Sequence, residues 1–234
     1  MPAACLARHL LLLLPLLGCA LSARADLGAT VSLLTDARQR GLSYSGERPS
    51  AQLGLAWDGS TGWYAGLQIA RAHFHAGERS SALQLYGGRV FELGPGLDAE
   101  AGLAVHRYGQ RPGYAFDEFY AGLIGEQWTL RLFLSPDYYG LGQRSIYTEF
   151  KLRWPLLPGV AAVGQVGVLR GRGGASAPSA HGPARVDLSA GGSWQLGASS
   201  DLALRWVSVS RGGPYVPVES TRRRSWVLSL TTAF

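Results

Sequence analysis

Apolar and polar side chains alternate with a period of two along most of this 234-residue chain. Between 145 and 154, Ile146, Thr148, Phe150, Leu152 and Trp154 share one parity, and Tyr147, Glu149, Lys151 and Arg153 share the other. Over 127–134, Trp128, Leu130, Leu132 and Leu134 oppose Thr129, Arg131 and Phe133. Over 185–195, Val186, Leu188, Ala190 and Trp194 oppose Arg185, Asp187, Ser189 and Gln195, and over 96–108 Leu97, Ala99, Ala101, Leu103 and Val105 oppose Asp98, Glu100 and His106. The chain ends the same way, with Trp226, Leu228, Leu230 and Phe234 set against Val227, Ser229, Thr231 and Ala233. Successive side chains of a strand point to opposite faces, so each segment predicts a strand with one greasy face. Reading such stretches between turn signals gives about twelve strands, near 27–37, 50–58, 61–74, 81–93, 96–108, 115–125, 127–136, 145–155, 159–170, 184–196, 200–210 and 223–234. Strand 81–93 breaks the pattern: Arg89 shares the parity of Leu83 and Leu85, and a bulge is expected to turn it to the polar face.

A single strand of this kind fits a soluble sandwich as well as a barrel, and the connections decide between them. Asp58-Gly59-Ser60-Thr61, Gly94-Pro95-Gly96, Gly125-Glu126, Leu156-Leu157-Pro158 and Gly197-Ala198-Ser199 read as tight turns. Longer links at 38–49, 75–80, 109–114, 137–144, 171–183 and 211–222 come between them. Strict alternation of short and long connections, with an even strand count, predicts an all-β, closed, antiparallel transmembrane barrel. Closure would turn the polar face into a lumen. Trp57, Trp63, Trp128, Trp154 and Trp194 lie within a few residues of the short turns, where an indole ring suits the membrane interface, and Phe234 joins that girdle. Tyr108, Tyr114, Tyr138, Tyr139 and Tyr215 lie in or beside the long links and suggest the opposite rim.

The N-terminus sharpens this. Arg8 and His9 precede the apolar run Leu10 to Leu21, and Ala23-Arg24-Ala25 follows. That is a secretory signal peptide over 1–25, with cleavage after Ala25; a lipobox-like Leu16-Leu17-Gly18-Cys19 is the alternative. Both cysteines, Cys5 and Cys19, lie in the signal, so the mature chain at 26–234 has no disulfide framework and no thiol nucleophile. Arg8 and Arg24 leave with it, lowering the formal net charge from +6 to +4. The remaining charge is scattered along an exported chain, which argues against a nucleic-acid partner. No mature segment supplies the roughly 20 apolar residues of a spanning helix.

Two resemblances follow. The terminal strand, ending on Phe234, resembles the closing strand of bacterial outer-membrane barrels, which implies that Trp226, Leu228, Leu230 and Phe234 are read by the barrel-assembly machinery. The blocks Arg40-Gly41-Leu42-Ser43-Tyr44-Ser45, Gly62-Trp63-Tyr64-Ala65-Gly66, Leu85-Tyr86-Gly87-Gly88, Glu118-Phe119-Tyr120-Ala121-Gly122 and Ser135-Pro136-Asp137-Tyr138-Tyr139-Gly140 resemble the TorF-type porin family of small bacterial outer-membrane proteins. The resemblance implies transport across the outer membrane of a Gram-negative bacterium without naming a solute. It departs at Gln84, where an acidic residue is expected.

No catalytic signature stands out: there is no Gly-x-Ser-x-Gly elbow, phosphate-binding glycine loop or His-Glu-x-x-His. His73 and His75 have a metal-compatible spacing without a third ligand, so a plain rim position is expected. A lipid-modifying barrel would need Ser and His on the outer wall, and His106 instead shares the inward parity of Asp98 and Glu100. Chemistry is expected inside: Arg131, Lys151, Arg153, Arg185 and Arg205 against Asp98, Glu100, Glu118, Glu149, Asp187 and Asp201. Such a set forms either a charged constriction that passes small polar solutes or a salt-bridged plug in a structural or adhesive barrel. Arg222, Arg223 and Arg224, at the start of the last strand, are candidates to grip lipopolysaccharide phosphates. The Gly- and Ala-rich link at 171–183 either folds into the mouth or stands above it. No cofactor is expected.

Overall fold

The computed structural model describes residues 26–173 and 182–234. The segment 1–25, expected to be a signal peptide, and most of the 171–183 link lie outside the described residues. Twelve antiparallel strands form one closed barrel. They are β1 (Asp26–Leu34), β2 (Ser50–Asp58), β3 (Trp63–His73), β4 (Arg79–Gly94), β5 (Leu97–Tyr108), β6 (Phe116–Gly125), β7 (Trp128–Ser135), β8 (Gln143–Leu157), β9 (Val160–Gly173), β10 (Ala184–Leu196), β11 (Ser200–Val209) and β12 (Arg224–Ala233). Every strand pairs with its chain neighbours, and β12 returns to β1 with Thr30 opposite Ala233 and Leu34 opposite Ser229. Phe234 seals the seam: its N–H donates to Ala29 O at 2.9 Å. A barrel has no free edge, so every ladder position finds a partner without water.

Tight turns lie at one end and longer links at the other. Ala29, Val31 and Leu33 of β1 face outward, and Ser32 faces inward, where its hydroxyl meets that of Thr231 at 2.8 Å. Leu53, Leu55, Ile69, Leu103, Phe119, Leu132, Ile146, Phe150, Leu188 and Leu204 continue the outward apolar band around the cylinder. These residues are exposed because hydrocarbon is their intended solvent. No helix of the described residues is long and apolar enough to cross a membrane, which is silent about crossing by strands.

The first strand stops at Leu34, short of the expected 37. Asp36 turns the chain inward by accepting hydrogen bonds from Ser43 Oγ at 2.6 Å, Ser45 Oγ at 3.1 Å and Arg38 Nε at 2.6 Å. A small hairpin, Arg38–Gln39 against Leu42–Ser43, then fills part of the barrel.

Two expectations are corrected. Arg89 does not turn inward, because the register shift of β4 comes later, between Glu92 and Gly94. Arg89 stays on the outer face, and its guanidinium lies over Trp63 at 5.5 Å and Phe91 at 5.2 Å. Nor do the long-link tyrosines all mark an outer rim. Tyr108, Tyr138 and Tyr139 are buried in a core inside the barrel with Leu42, Phe74, Phe116, Tyr147, Leu169, Val209, Val216 and Val218, and Tyr114 packs against it. The links fold back over the long-loop mouth, and their aromatic rings supply a conventional apolar core there. Of the five tyrosines, Tyr215 remains exposed, with its ring stacked on His75.

Candidate functional site

The lumen has two storeys. In the long-loop half, Arg40 reaches down from the β1–β2 link, with Nη2 2.7 Å from both oxygens of Glu118 on β6. His106 on β5 approaches the same carboxylate at 3.2 Å and stacks on Phe116 at 4.2 Å between ring centroids. The Arg40 guanidinium also lies over Tyr147 at 4.4 Å and over Phe133 and Tyr138 at 5.5 Å each. A desolvated cation among aromatic faces with a bonded carboxylate is a strong local anchor. Beside it Asp187 accepts from Gln165 Nε2 at 3.0 Å and from the Tyr147 hydroxyl at 3.2 Å, and Arg185 Nη2 donates to Pro214 O at 2.9 Å.

Among the described residues, three that are not glycine adopt left-handed backbone: Arg40 (φ 50), Glu47 (φ 61) and Tyr139 (φ 60). All three belong to links that close this half. Such conformations cost about 1–3 kcal/mol each and persist where surrounding contacts hold them. Glu47 ties the first link to the last: its carboxylate accepts from the backbone N–H and hydroxyl of Thr221 at 2.8 and 2.9 Å, and from the Arg222 N–H. Burial works to raise the Glu47 pKa, but these donors, with the Arg222 charge, prevail and hold it below the usual carboxylate value.

The middle of the lumen is lined by tyrosines laid over glycines. Tyr64 lies opposite Gly88, Tyr86 opposite Gly66, and Tyr120 opposite Gly102 on neighbouring strands. A Cβ at Gly66 would strike the Tyr86 hydroxyl, and one at Gly102 would strike the Tyr120 hydroxyl and the Gly87 carbonyl. Only glycine admits the rings this close. The Tyr64 hydroxyl donates to Glu100 at 2.7 Å and contacts the Tyr120 hydroxyl at 2.7 Å, while Arg131 Nη2 donates to Glu100 at 3.2 Å. Alternation located Glu100 and Arg131, but not the Tyr–Gly interlock. Its signal was the recurring pairing of tyrosine and glycine two residues apart in Tyr64-Ala65-Gly66, Tyr86-Gly87-Gly88 and Tyr120-Ala121-Gly122.

The rest of the lumen is open. One cavity of about 390 Å³ starts beside the upper anchor, at Arg40, His106, Tyr108 and Tyr147, and runs past Gln52, Gln68, Gln84 and Arg131 to Lys151 and Gln165. A second, of about 510 Å³, shares Lys151 and Gln165 with it and is lined further by Arg153, Ser189 and Arg205. Lys151 is 2.7 Å from Glu149, and Arg153 is 3.2 Å from Asp201. The expected inward residues thus divide. Glu118, Asp187 and Arg185 are locked in the upper half, Glu100 and Arg131 form the middle pair, and Glu149, Lys151, Arg153 and Arg205 meet the cavities. Asp98 is inward near the short turns, opposite Glu92 across β4–β5. Arg40, the residue that closes the upper half, was absent from the strand-based set because it lies in a link.

Outside, Trp57, Trp63, Trp154, Trp194 and Phe234 are exposed near the short turns, and Trp128 stacks on Phe150 there. Trp226, Leu228 and Leu230 form the outward face of β12. The three arginines that lead into β12 part company: Arg222 pairs with Glu47 at 3.3 Å, Arg223 Nη1 donates to Ser210 O at 3.1 Å, and Arg224, the first residue of the strand, is exposed on the parity of Trp226. His106 is sealed in the lumen, away from lipid. His75 lies in a short 3-10 turn, and no cluster of three or more potential metal ligands occurs among the described residues.

A family model described as "Bacterial protein of unknown function (Gcw_chp)" matches residues 20–234. The chain belongs to the Gcw_chp family. The motifs that resemble TorF-type porins therefore sit in a family whose model carries a different description, and in this Gcw_chp protein they build the Arg40 anchor and the Tyr–Gly interlock. No curated protein matches the chain. Among solved structures, the NanC porin aligns at 8% identity with a TM-score of 0.60, covering 88% of this chain and 99% of that one. The KdgM porin aligns at 8% identity with a TM-score of 0.56 and the same coverage, 88% and 99%. A KdgM porin in complex with disordered oligogalacturonate aligns at 8% identity and a TM-score of 0.51, covering 90% and 99%. At such identity the likeness is one of fold, and the fold is the twelve-stranded barrel of outer-membrane porins.

Proposed function

We propose that this protein is an outer-membrane porin through which small polar solutes diffuse passively. The observation that carries the reading is the pair of adjoining cavities, which together run from the short-turn mouth to the underside of Arg40 and are walled by glutamine, arginine and lysine. A barrel built only as a stable cylinder has no need to keep Lys151 and Arg153 hydrated at 47% and 56% side-chain exposure. The short turns face the periplasm, the links face outward, and the N-terminal segment is a cleaved export signal. No chemical step is required, and none is assigned.

The Trp57, Trp63, Trp128, Trp154, Trp194 and Phe234 ring anchors the inner interface. Trp226, Leu228, Leu230 and Phe234 serve as the assembly signal. At the outer rim the lipopolysaccharide contact rests on Arg224, joined by the exposed outward Arg144 and Arg170, because Arg222 and Arg223 are engaged within the links.

Single-channel recording in planar bilayers tests the function. Reproducible open steps, changed in size or selectivity by Arg131→Glu or Arg153→Glu, are expected. The buried aromatic core favours a second reading, a barrel plugged at its outer mouth whose links do the work. Persistent silence from correctly folded protein would decide for the plug.

A further inference from the structure

The charges that border the two cavities are balanced. In the first, Arg38 lies 2.6 Å from Asp36, Arg40 2.7 Å from Glu118 and Lys151 2.7 Å from Glu149, and Arg131 is bonded to Glu100. Arg71 also borders this cavity, but on the outward parity of Ile69. In the second, Arg153 pairs with Asp201 at 3.2 Å, and Arg205 and Glu126 add one charge of each sign to the lining. Neither cavity therefore carries a net charge that would draw in ions of one sign.

The first cavity offers neutral polar chemistry instead. Gln68 on β3 lies opposite Gln84 on β4, and its Nε2 donates to Gln52 Oε1 on β2 at 2.9 Å. The three side chains form a partly exposed amide row along one wall. The resemblance to TorF-type porins leads to an acidic residue at 84, and the amide found there keeps the row uncharged. Tyr86, two residues from Gln84, lies opposite Gly66, and Tyr64 lies opposite Gly88 one step further along the same wall. Two residues of strand span roughly 7 Å, about the reach of a six-membered sugar ring. The hydroxyl ends of Tyr86 and Tyr64 rest on Gly66 and Gly88, so both rings lie along the wall and remain partly exposed to the cavity.

We propose that the Gln52, Gln68 and Gln84 row and the Tyr64 and Tyr86 rings form a binding site for an uncharged saccharide. The inference rests on the porin reading and names its substrate class. Each amide offers a donor and an acceptor, the pair that neighbouring sugar hydroxyls can satisfy. The C–H face of a pyranose gains by packing on an aromatic ring. A charged sugar of the same size would give up hydration in a narrow lumen that has no net opposing charge to replace it.

Saturation-transfer NMR tests this on the full barrel folded in a sugar-free detergent at pH 6, with glucose, glucuronate and glucosamine as the neutral, anionic and cationic probes. Glucose should show contact several-fold above that of either charged sugar. Gln68→Leu/Gln84→Leu should lose most of the glucose contact while the unheated gel form is kept. Gln84→Glu should turn the preference toward glucosamine, a change that a weakened fold would not produce. Equal contact with the three sugars overturns the proposal, and so does a glucose signal that neither variant alters. The same protein in planar bilayers separates the site from the porin reading. Open steps without glucose contact overturn the site and leave the pore standing. Glucose contact in a barrel that stays silent overturns the porin reading and keeps the site.

Discussion

The two halves of the lumen are lined by the same alternation and reach opposite physical states. Near the long links, the Glu118 side chain is 2% exposed and bonded to Arg40 and His106; near the short turns, Arg153 is 56% exposed beside a partly exposed Asp201. The strands supply inward polar groups in both places. What differs is cover. Links that carry Leu42, Tyr138, Tyr139, Val216 and Val218 fold over one end, and two- to four-residue turns leave the other bare. The same ionic chemistry is therefore a desolvated fastening above and a hydrated, solute-facing surface below. A buried pair depends on both partners, whereas an exposed one is worth about 0–1 kcal/mol.

Removing one partner of the upper pair is the harshest way to break that contrast. Arg40→Met leaves Glu118 buried and bonded only to His106, and breaking a buried pair costs about 3–5 kcal/mol. Urea unfolding of the detergent-folded barrel should show that loss, and Arg40→Met/Glu118→Gln should recover much of it. The matching lower variant, Arg153→Met, should lose no more than about 1 kcal/mol. Equal losses for the two single variants would refute the division into a fastened and an open half.

Between the halves, the Tyr–Gly interlock sets how closely the wall packs. Gly102→Ala drives a methyl group into both the Tyr120 hydroxyl and the Gly87 carbonyl, and the second cannot swing away. Overpacking of this kind costs about 1–3 kcal/mol. Gly94→Ala, where nothing lies within 4 Å of the added carbon, provides the control and should be near neutral. Melting of the unheated gel form separates the two.

Acid should loosen the cover before it touches the strands' hydrogen bonds. The Glu47 carboxylate is held below its ordinary value of 4.5, so its contribution is present in full above that value and lost as pH falls through the lower folded one. The stability at stake is about 1 kcal/mol, that of a modest set of hydrogen bonds to a charged group. Protease nicking of the 210–223 link should rise below pH 4.5 in the natural protein. Glu47→Gln should be nicked readily at every pH, with no further change on acidification.

Much of this was legible in period-two alternation, because lipid and lumen impose opposite demands on adjacent residues all round a closed sheet. The strand count, the loop parity, the short-turn tryptophans and the inward parity of Glu100, Arg131, Glu149 and Lys151 follow from that single constraint. The filling of the lumen does not. Tyr138 and Tyr139 look alike as rim or core residues when only their place in a link is known, and Arg40 has no strand parity to classify it. The one available sign was composition: Leu42 and Tyr44 are too apolar for a link that stays in water.

Arg89 marks where the parity rule held and chemistry argued against it. An arginine on the lipid face breaks the apolar pattern, and the sequence points to a bulge as the remedy. The barrel keeps the parity and solves the problem at the interface, where the guanidinium covers Trp63 and Phe91 instead of entering hydrocarbon. A cation–π contact at an exposed site is worth about 0.5–1 kcal/mol, so Arg89→Ala should destabilise the barrel by that small amount. Long arginine stems also keep their heads at the membrane surface while covering apolar rings, so Arg89→Lys should retain part of the effect. A double-mutant cycle with Trp63→Leu isolates the contact: coupling of about 0.5 kcal/mol or more is expected in lipid bilayers. Zero coupling would mean that Arg89 is merely tolerated at this rim. The contrast between a fastened and an open half would then be a property of the lumen alone, with no counterpart on the lipid face.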